Sequence, residues 1–346
     1  MTNLNITDAI VSFRKIKDIG AEGKNSDVFL AQDIHLDSEI VVKQITRQNL
    51  SLEKLFAESR ILHSVAHTNI SPVQYACRDD NFVYITMPYY QRGSLKSVIA
   101  NEVLTLRKII KYSIDILSGL MHIHSNGLIH FDIKSDNILI SDNDTALVAD
   151  FGISAYLDPK NGLAAIKSFY TNTMPPELIL TDDGLFDRRF DLYHFGLILY
   201  QMCNGLNEYY RQKNSLGKKD AFLKAIVKGE FPDRNVFPLH MPKELISLVK
   251  EILNTDFNKR PKDALEIINK FSKVPDEYLD WTYIKHPNGD EEWSKIFDSK
   301  VVKLVKISGV FTASKTMVDS GKTMNIAKYS GLLSTDQIRD FFISGG

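Results

Sequence analysis

The densest concentration of chemically capable side chains is His130-Phe131-Asp132-Ile133-Lys134-Ser135-Asp136-Asn137, followed downstream by Asp150-Phe151-Gly152. Asp150 and Asn137 are suited to a hard divalent cation such as Mg²⁺, which prefers oxygen donors and keeps several waters. Asp132 is suited to orienting an acceptor hydroxyl and taking its proton. Lys134 is suited to neutralising charge on a group as it moves. Phosphoryl transfer asks for this combination: positioned metal ions, an aligned nucleophile, and cations against the developing charge. Either loop alone is equally readable as a surface turn. The two in this order, with a strand pair between them, are specific.

Such loops need elements to hold them. The first follows a helical pattern from Ile109 to His124, with an apolar stripe at Ile109, Ile110, Ile114, Ile116, Leu117 and Met121, and precedes a short apolar strand, Ile138 to Ile140. Asp191 to Cys203 is almost entirely apolar and is predicted as the buried spine of the same region. Leu245 to Leu253 and Ala264 to Phe271 are amphipathic helices. Strand signals dominate earlier, at Asp27 to Ala31 and Glu39 to Ile45, interrupted by one helix with Ser51 as cap and Leu55, Glu58 and Leu62 at helical spacing. Composition changes near Pro275. Beyond it, Trp281 to Lys285 and Glu292 to Phe297 flank a Pro287-Asn288-Gly289-Asp290 turn and predict a hairpin. Val301 to Ile307 is a further strand, and Ser334 to Gln337 is a capping box before a short terminal helix. The chain shows no internal repeat and no low-complexity tract.

The loop residues resemble the eukaryotic-type protein kinase family, whose catalytic loop reads His-Arg-Asp, with Lys two residues later and Asn five later. Here these positions hold His130, Phe131, Asp132, Lys134 and Asn137, and Asp150-Phe151-Gly152 matches the metal-binding triplet. Val41-Val42-Lys43 is similar to the small-lobe strand whose Lys grips the α- and β-phosphates of ATP, and Glu58 to its ionic partner. His67-Thr68-Asn69-Ile70 matches the segment after that helix. Met87 stands at the back of the adenine pocket and Pro88 to Tyr90 at the hinge, with Val28 above the adenine ring and Leu139 below it. Pro175-Pro176-Glu177 resembles the end of the activation segment, Asp191 to Gly196 the buried-helix motif, and Arg260 the partner of Glu177. Internal-spine positions fall on Leu62, Val73, His130 and Phe151. The resemblance implies an α+β, two-lobed fold: an N-terminal extension over residues 1–12, a kinase domain over 13–274 (N-lobe 13–87, C-lobe 91–274), and a C-terminal extension over 275–346. It implies ATP and Mg²⁺ as cofactors, catalytic roles for Asp132, Lys134, Lys43 and Glu58, metal ligation by Asn137 and Asp150, and a nucleotide site including Gly20, Gly23, Ser26, Val28, Val41, Met87, Tyr89 and Leu139.

Departures from the family pattern carry expectations of their own. The glycine-rich positions counted back from Val28 hold Ala21, Gly23 and Ser26, with Gly20 beside the first, so the loop over the phosphates is less closely fitting. Val41 replaces a smaller Ala and tightens the pocket roof. Phe131 replaces the Arg whose charge, in relatives, is balanced by a phosphate on the activation segment. Activity without activation-segment phosphorylation is therefore expected. The segment before Pro175, Phe169-Tyr170-Thr171-Asn172-Thr173-Met174, departs too, and either Thr171 or Thr173 takes the place of the Thr that meets the catalytic Asp and Lys.

Composition excludes several classes. The net charge of −1 gives no whole-chain field toward nucleic acid or an anionic membrane. The chain has only two cysteines, Cys77 and Cys203, which make neither a disulfide framework nor a zinc site and fit a reduced, cytoplasmic setting. No signal peptide is expected, since Met1 to Ile10 is polar. No membrane insertion is expected, since no apolar run approaches the ~20 residues that span a bilayer. Lys134 favours Ser/Thr hydroxyls of a protein substrate, with autophosphorylation. Tyrosine or dual specificity is the alternative, with Tyr156 and Tyr170 as its acceptors. A pseudokinase scaffold is disfavoured because the key Lys and both Asp are kept, and a small-molecule kinase because Glu177, Asp191 and Arg260 would not be expected in it. The extension after Pro275 is read as a brace on the large lobe, with substrate recruitment as its alternative.

Overall fold

The computed structural model of the protein describes residues 10–21, 26–47, 56–166, 173–181 and 183–345. Alternating apolar and polar residues form five strands at the N-terminal end: Phe13–Ala21 (β1), Ser26–Asp33 (β2), Ser38–Thr46 (β3), Tyr75–Arg78 (β4) and Phe82–Pro88 (β5). They make one antiparallel sheet in the order β1-β2-β3-β5-β4. Successive side chains on a strand face opposite ways. Phe29, Ala31, Ile40 and Val42 therefore pack on one face with Phe13, Tyr75 and Tyr84. Lys43 falls on the other, between Val28 on β2 and Ile85 on β5. A one-residue slip would exchange the two sets. The helix Ala57–Ser64 (α1) carries Glu58 in its first turn. Ser51, Leu55 and the side chains of Glu58 and Leu62 lie outside the described residues.

Beyond β5 the chain is mostly helical. Ser94 caps Leu95–Asn101 (α2) by accepting from the Ser97 backbone N–H, and Thr105 caps Leu106–Ser125 (α3) in the same way. The buried face of α3 comprises Ile109, Tyr112, Ile116, Leu117, Leu120 and Ile123. Ile114 and Met121, expected in that stripe, are instead partly exposed. They stand one position off the i, i+3, i+4, i+7 row that faces the core. Gly119 lets α3 approach the loop after α1, since a Cβ there would lie 2.7 Å from the Asn69 carbonyl oxygen. Short strand pairs follow: Leu128–Ile129 (β6) with Ala155–Tyr156 (β9), Ile138–Ile140 (β7) with Ala146–Val148 (β8), and Ala164–Ala165 (β10) with Leu185–Phe186 (β11). The helix Pro176–Leu180 (α4) lies between the last two strands.

Arg189–Ser215 (α5) is buried without interruption from Phe190 to Cys203, as its apolar composition predicts. It then kinks at Gly205, whose φ of 77° leaves the helical region. Lys219–Lys228 (α6), Lys243–Ile252 (α7) and Ala264–Phe271 (α8) complete this lobe.

The last segment forms its own sheet on the same core. The expected hairpin is present as Thr282–Lys285 (β12) paired with Glu291–Phe297 (β13), and the expected strand as Lys300–Ile307 (β14). Two further strands, Val310–Met317 (β15) and Thr323–Asn325 (β16), extend it to a five-stranded meander. Ser334 and Gln337 form the expected reciprocal capping box on Thr335–Ser344 (α9). Trp281, Trp293, Val302, Leu304, Phe341 and Phe342 are fully buried and belong to the same apolar cluster as Leu120, Phe195 and Ile252 of the helical lobe. Polar contacts reinforce the join. Arg107 grips Asp280 through two bonds of 2.6 and 2.9 Å, and Trp293 Nε1 donates to His240 Nδ1 at 3.0 Å. Among the described residues no helix is long and apolar enough to cross a membrane, and Cys77 and Cys203 carry no disulfide.

Candidate active site

The loop between β6 and β7 is held from below by α5. Asp191, fully buried in the first turn of that helix, accepts the backbone N–H of His130 at 2.9 Å and of Phe131 at 2.8 Å, and contacts His124 Nε2 at 2.8 Å. Burial alone would raise its pKa, but these bonds outweigh it and hold the carboxyl below the ordinary range. Phe131 sits at a φ of 68°. This left-handed backbone is costly for a bulky residue and is kept only where the surroundings over-determine it.

His130 is buried and its imidazole pKa is pushed down by desolvation. Its Nδ1 accepts the Asp132 N–H at 3.3 Å while Nε2 faces the Ala149 carbonyl at 3.1 Å, a pattern that fits the neutral ring with the proton on Nε2. Its ring meets Phe151 edge-on, with centroids 4.7 Å apart. Val73, from the same expected column, packs against that core.

Asp132, Lys134 and Asn137 converge. Lys134 Nζ lies 2.8 Å from Asp132 Oδ2, and Asn137 Nδ2 donates to the same oxygen at 2.8 Å and to the Asp132 carbonyl at 2.9 Å. A single turn of 3₁₀ helix, Ser135–Asn137, brings the Asn back toward the Asp. Asp132 is buried, and desolvation raises its pKa while Lys134 counteracts. A carboxylate whose proton affinity is lifted is a better base than one on the surface. Asn137 spends its amide N–H groups on Asp132, so its Oδ1 is the atom left for a cation.

Across the cleft, Lys43 Nζ on β3 donates to Asp150 Oδ1 at 2.9 Å. Asp150 also sits in left-handed backbone, at φ 63°, and its Oδ1 is 3.4 Å from the Gly152 N–H. The family resemblance pairs Lys43 with Glu58, whose side chain lies outside the described residues. The carboxylate that meets Lys43 within the described residues is Asp150.

Gly20, Val28, Val41, Lys43, Met87, Tyr89, Leu139, Asn137 and Asp150 line one cleft of about 410 Å³ between the sheet and the helical lobe. Of the residues proposed for nucleotide binding, Gly23 and the side chain of Ser26 lie outside the described residues. Among the described residues, a Cβ at Gly20 would meet Val28 at 3.7 Å, an ordinary contact. Sequence reasoning missed Ile19, Ser94, Ser97, Asp136 and Ala149, which line the same cleft. Ser94 and Ser97 had a readable signal, the cap that starts α2. Asp136, joined to Lys96 at 2.7 Å, had none.

Below the cleft, Glu177 in α4 takes two 2.7 Å bonds from the Arg260 guanidinium, which also sits 4.6 Å over the Tyr193 ring. The model of the protein kinase domain matches residues 13–271.

The chain belongs to the protein kinase family.

It is 29% identical over 304 residues to a probable serine/threonine-protein kinase of Clostridium acetobutylicum, covering 82% of this chain and 42% of that protein. It is 26% identical over 262 residues to a serine/threonine-protein kinase of Arabidopsis thaliana, covering 74% and 43%. It is 32% identical over 181 residues to a probable serine/threonine-protein kinase of Dictyostelium discoideum, covering 51% and 28%. The chain thus spans less than half the length of these curated relatives. In this kinase the loop residue before Asp132 is Phe131, and it packs in an apolar cluster with Ile129, Ala164, Phe186 and Phe190. Of the activation-segment hydroxyls, Ser168, Tyr170 and Thr171 lie outside the described residues. Ser154 donates to the His130 carbonyl at 3.3 Å, and Tyr156 is exposed.

Proposed function

We propose that this kinase, over residues 13–274, transfers the γ-phosphate of ATP to Ser and Thr hydroxyls of a protein substrate, and to its own chain. The carrying observation is the convergence on one cleft of the Lys43–Asp150 pair and the Asp132–Lys134–Asn137 cluster. Asp132 aligns the acceptor hydroxyl and takes its proton, and Lys134 balances charge on the phosphoryl group in transit. Lys43 holds the α- and β-phosphates, with Glu58 as its further partner. The roof and floor of the adenine site are Val28, Val41 and Leu139, with Met87 at the back and the Tyr89 backbone at the hinge. Asp150 and the Oδ1 of Asn137 are hard oxygen donors that would hold Mg²⁺, which would supply positive charge against the phosphates.

Lys134 two residues after Asp132 supports the Ser/Thr preference. Incubation of the full chain with ATP and Mg²⁺, followed by mass spectrometry of phosphorylated residues, tests the reading. Phosphoserine or phosphothreonine is expected, lowered about 10²- to 10⁴-fold in Asp132→Asn and abolished in Asp150→Ala. Phosphotyrosine alone would replace the Ser/Thr assignment, and equal turnover in both variants would overturn the mechanism.

A further inference from the structure

We infer that Phe186 and Phe190 are positioning residues which, acting through Phe131, help hold the activation segment docked on the catalytic loop by apolar contact that needs no added charge. The inference deepens the kinase reading and rests on Asp132 as its base.

Phe131 lies between His130 and Asp132, and Asp191 fixes its N–H, so the loop backbone and the Phe131 ring move together. The ring is 2% exposed. It meets Phe190 edge-on at 5.1 Å and Phe186 edge-on at 6.5 Å, and those two rings stand 5.0 Å apart. Phe190 heads α5, and Phe186 belongs to β11. Phe186 thus reaches α5 through the Phe190 ring.

The same aromatic trio fastens the segment after Gly152 at two points. Its near end pairs Ala155 with Ile129 of β6, directly before the catalytic loop. Its far end pairs Ala164 with Phe186. Ile129 and Ala164 are buried in the cluster with the three Phe rings, and Ile153, Leu157 and Ile166 pack around them. Among the described residues, the titratable ring touching the trio is His194, 4.8 Å from Phe190, and burial pushes its pKa down to about 4. A cation here would need a counter-anion delivered to it. An apolar cluster is complete as encoded, and its strength does not depend on an added charge. The segment is therefore docked by Phe131, Phe186 and Phe190 in the unmodified chain.

The test uses the full chain with Phe190→Ala, Phe186→Ala and the conservative Phe190→Leu. Peptide phosphorylation, nucleotide binding and amide hydrogen exchange are measured on each. The alanine variants are expected to lose about 10- to 100-fold in kcat through misplacement of the loop. Nucleotide affinity should stay within about twofold, because neither ring lines the cleft. Exchange should rise over residues 153–166 and stay unchanged in α3. Phe190→Leu should recover most of the rate. An unchanged kcat overturns the inference, as does a rise in exchange spread evenly over the large lobe. If the wild type transfers no phosphate, the kinase reading fails, and the exchange pattern still decides the docking role.

Discussion

Asp191 Oδ1 accepts the Phe131 N–H at 2.8 Å, although the two residues belong to a helix and a loop sixty positions apart. The bond fixes a backbone at φ 68° that a phenylalanine does not adopt unaided. The other oxygen serves His130 and His124. Removing the carboxylate strands three donors in a dry interior. Asp191→Ala should therefore cost about 3–5 kcal/mol in urea unfolding. Asp191→Asn, which keeps one acceptor, should fall between it and wild type.

Asp132 titrates above the usual carboxylate range because it is buried, and Lys134 opposes that shift. The base must be ionised, so the acid limb of the rate profile should follow this group. Lys134→Met removes the opposing cation and raises the Asp132 pKa further. The acid limb of kcat/KM should then move to higher pH, in addition to any loss of maximal rate. A limb that stays in place would detach Asp132 from the acid titration.

Trp293 is buried among Tyr283, Phe342 and His240. Trp293→Ala should destabilise the protein by about 3–5 kcal/mol, read from urea melts. Truncation after Val274 exposes the apolar face that Trp281, Trp293 and Phe342 cover, and the shortened chain should be insoluble. A soluble, stable truncation with altered peptide preference would instead assign the extension to substrate recruitment.

Burial depresses the His240 imidazole to about 3, while an unfolded His titrates near 6.5. The unfolded state thus binds the extra proton first, and stability falls as pH drops from about 6.5 toward 3. His240→Gln removes one such proton. Its stability should vary less steeply with pH over that window, by about 1.4 kcal/mol per pH unit, as measured by denaturant midpoints from pH 4 to 6.5.

Phe131 has no charge for a phosphate to balance. Replacing Ser154, Tyr156, Ser168, Tyr170, Thr171 and Thr173 by Ala or Phe should leave most peptide turnover intact. A collapse in rate with an unchanged melting temperature would show that one of these hydroxyls is required.

What could be read from the chain follows from how local each feature is. Asp132, Lys134 and Asn137 fall within one loop, and their convergence needs only the single 3₁₀ turn at Ser135–Asn137. The Glu177–Arg260 pair was legible through the family pattern. Phe131's neighbours were not, because Ala164, Phe186 and Phe190 meet only through α5 and the β10–β11 pair. β15 escaped notice because its Thr, Ser and Lys residues blur the alternation, and only Phe311 and Ala313 of that strand are buried. Ile114 and Met121 were misassigned because an apolar side chain on the wet side of a helix leaves the same mark in the sequence as one in the core.

The shared core beneath Trp281 and Trp293 also bears on how the molecule comes apart. Leu120, Phe195, Ile252, Trp293 and Phe341 belong to one apolar cluster. The meander is thus packed on the helical lobe rather than hung from it, and the two are expected to melt together. A cavity opened at Ala313 or Leu304 then lowers the free energy that keeps Asp132 and Asn137 in register, although neither strand comes near the cleft.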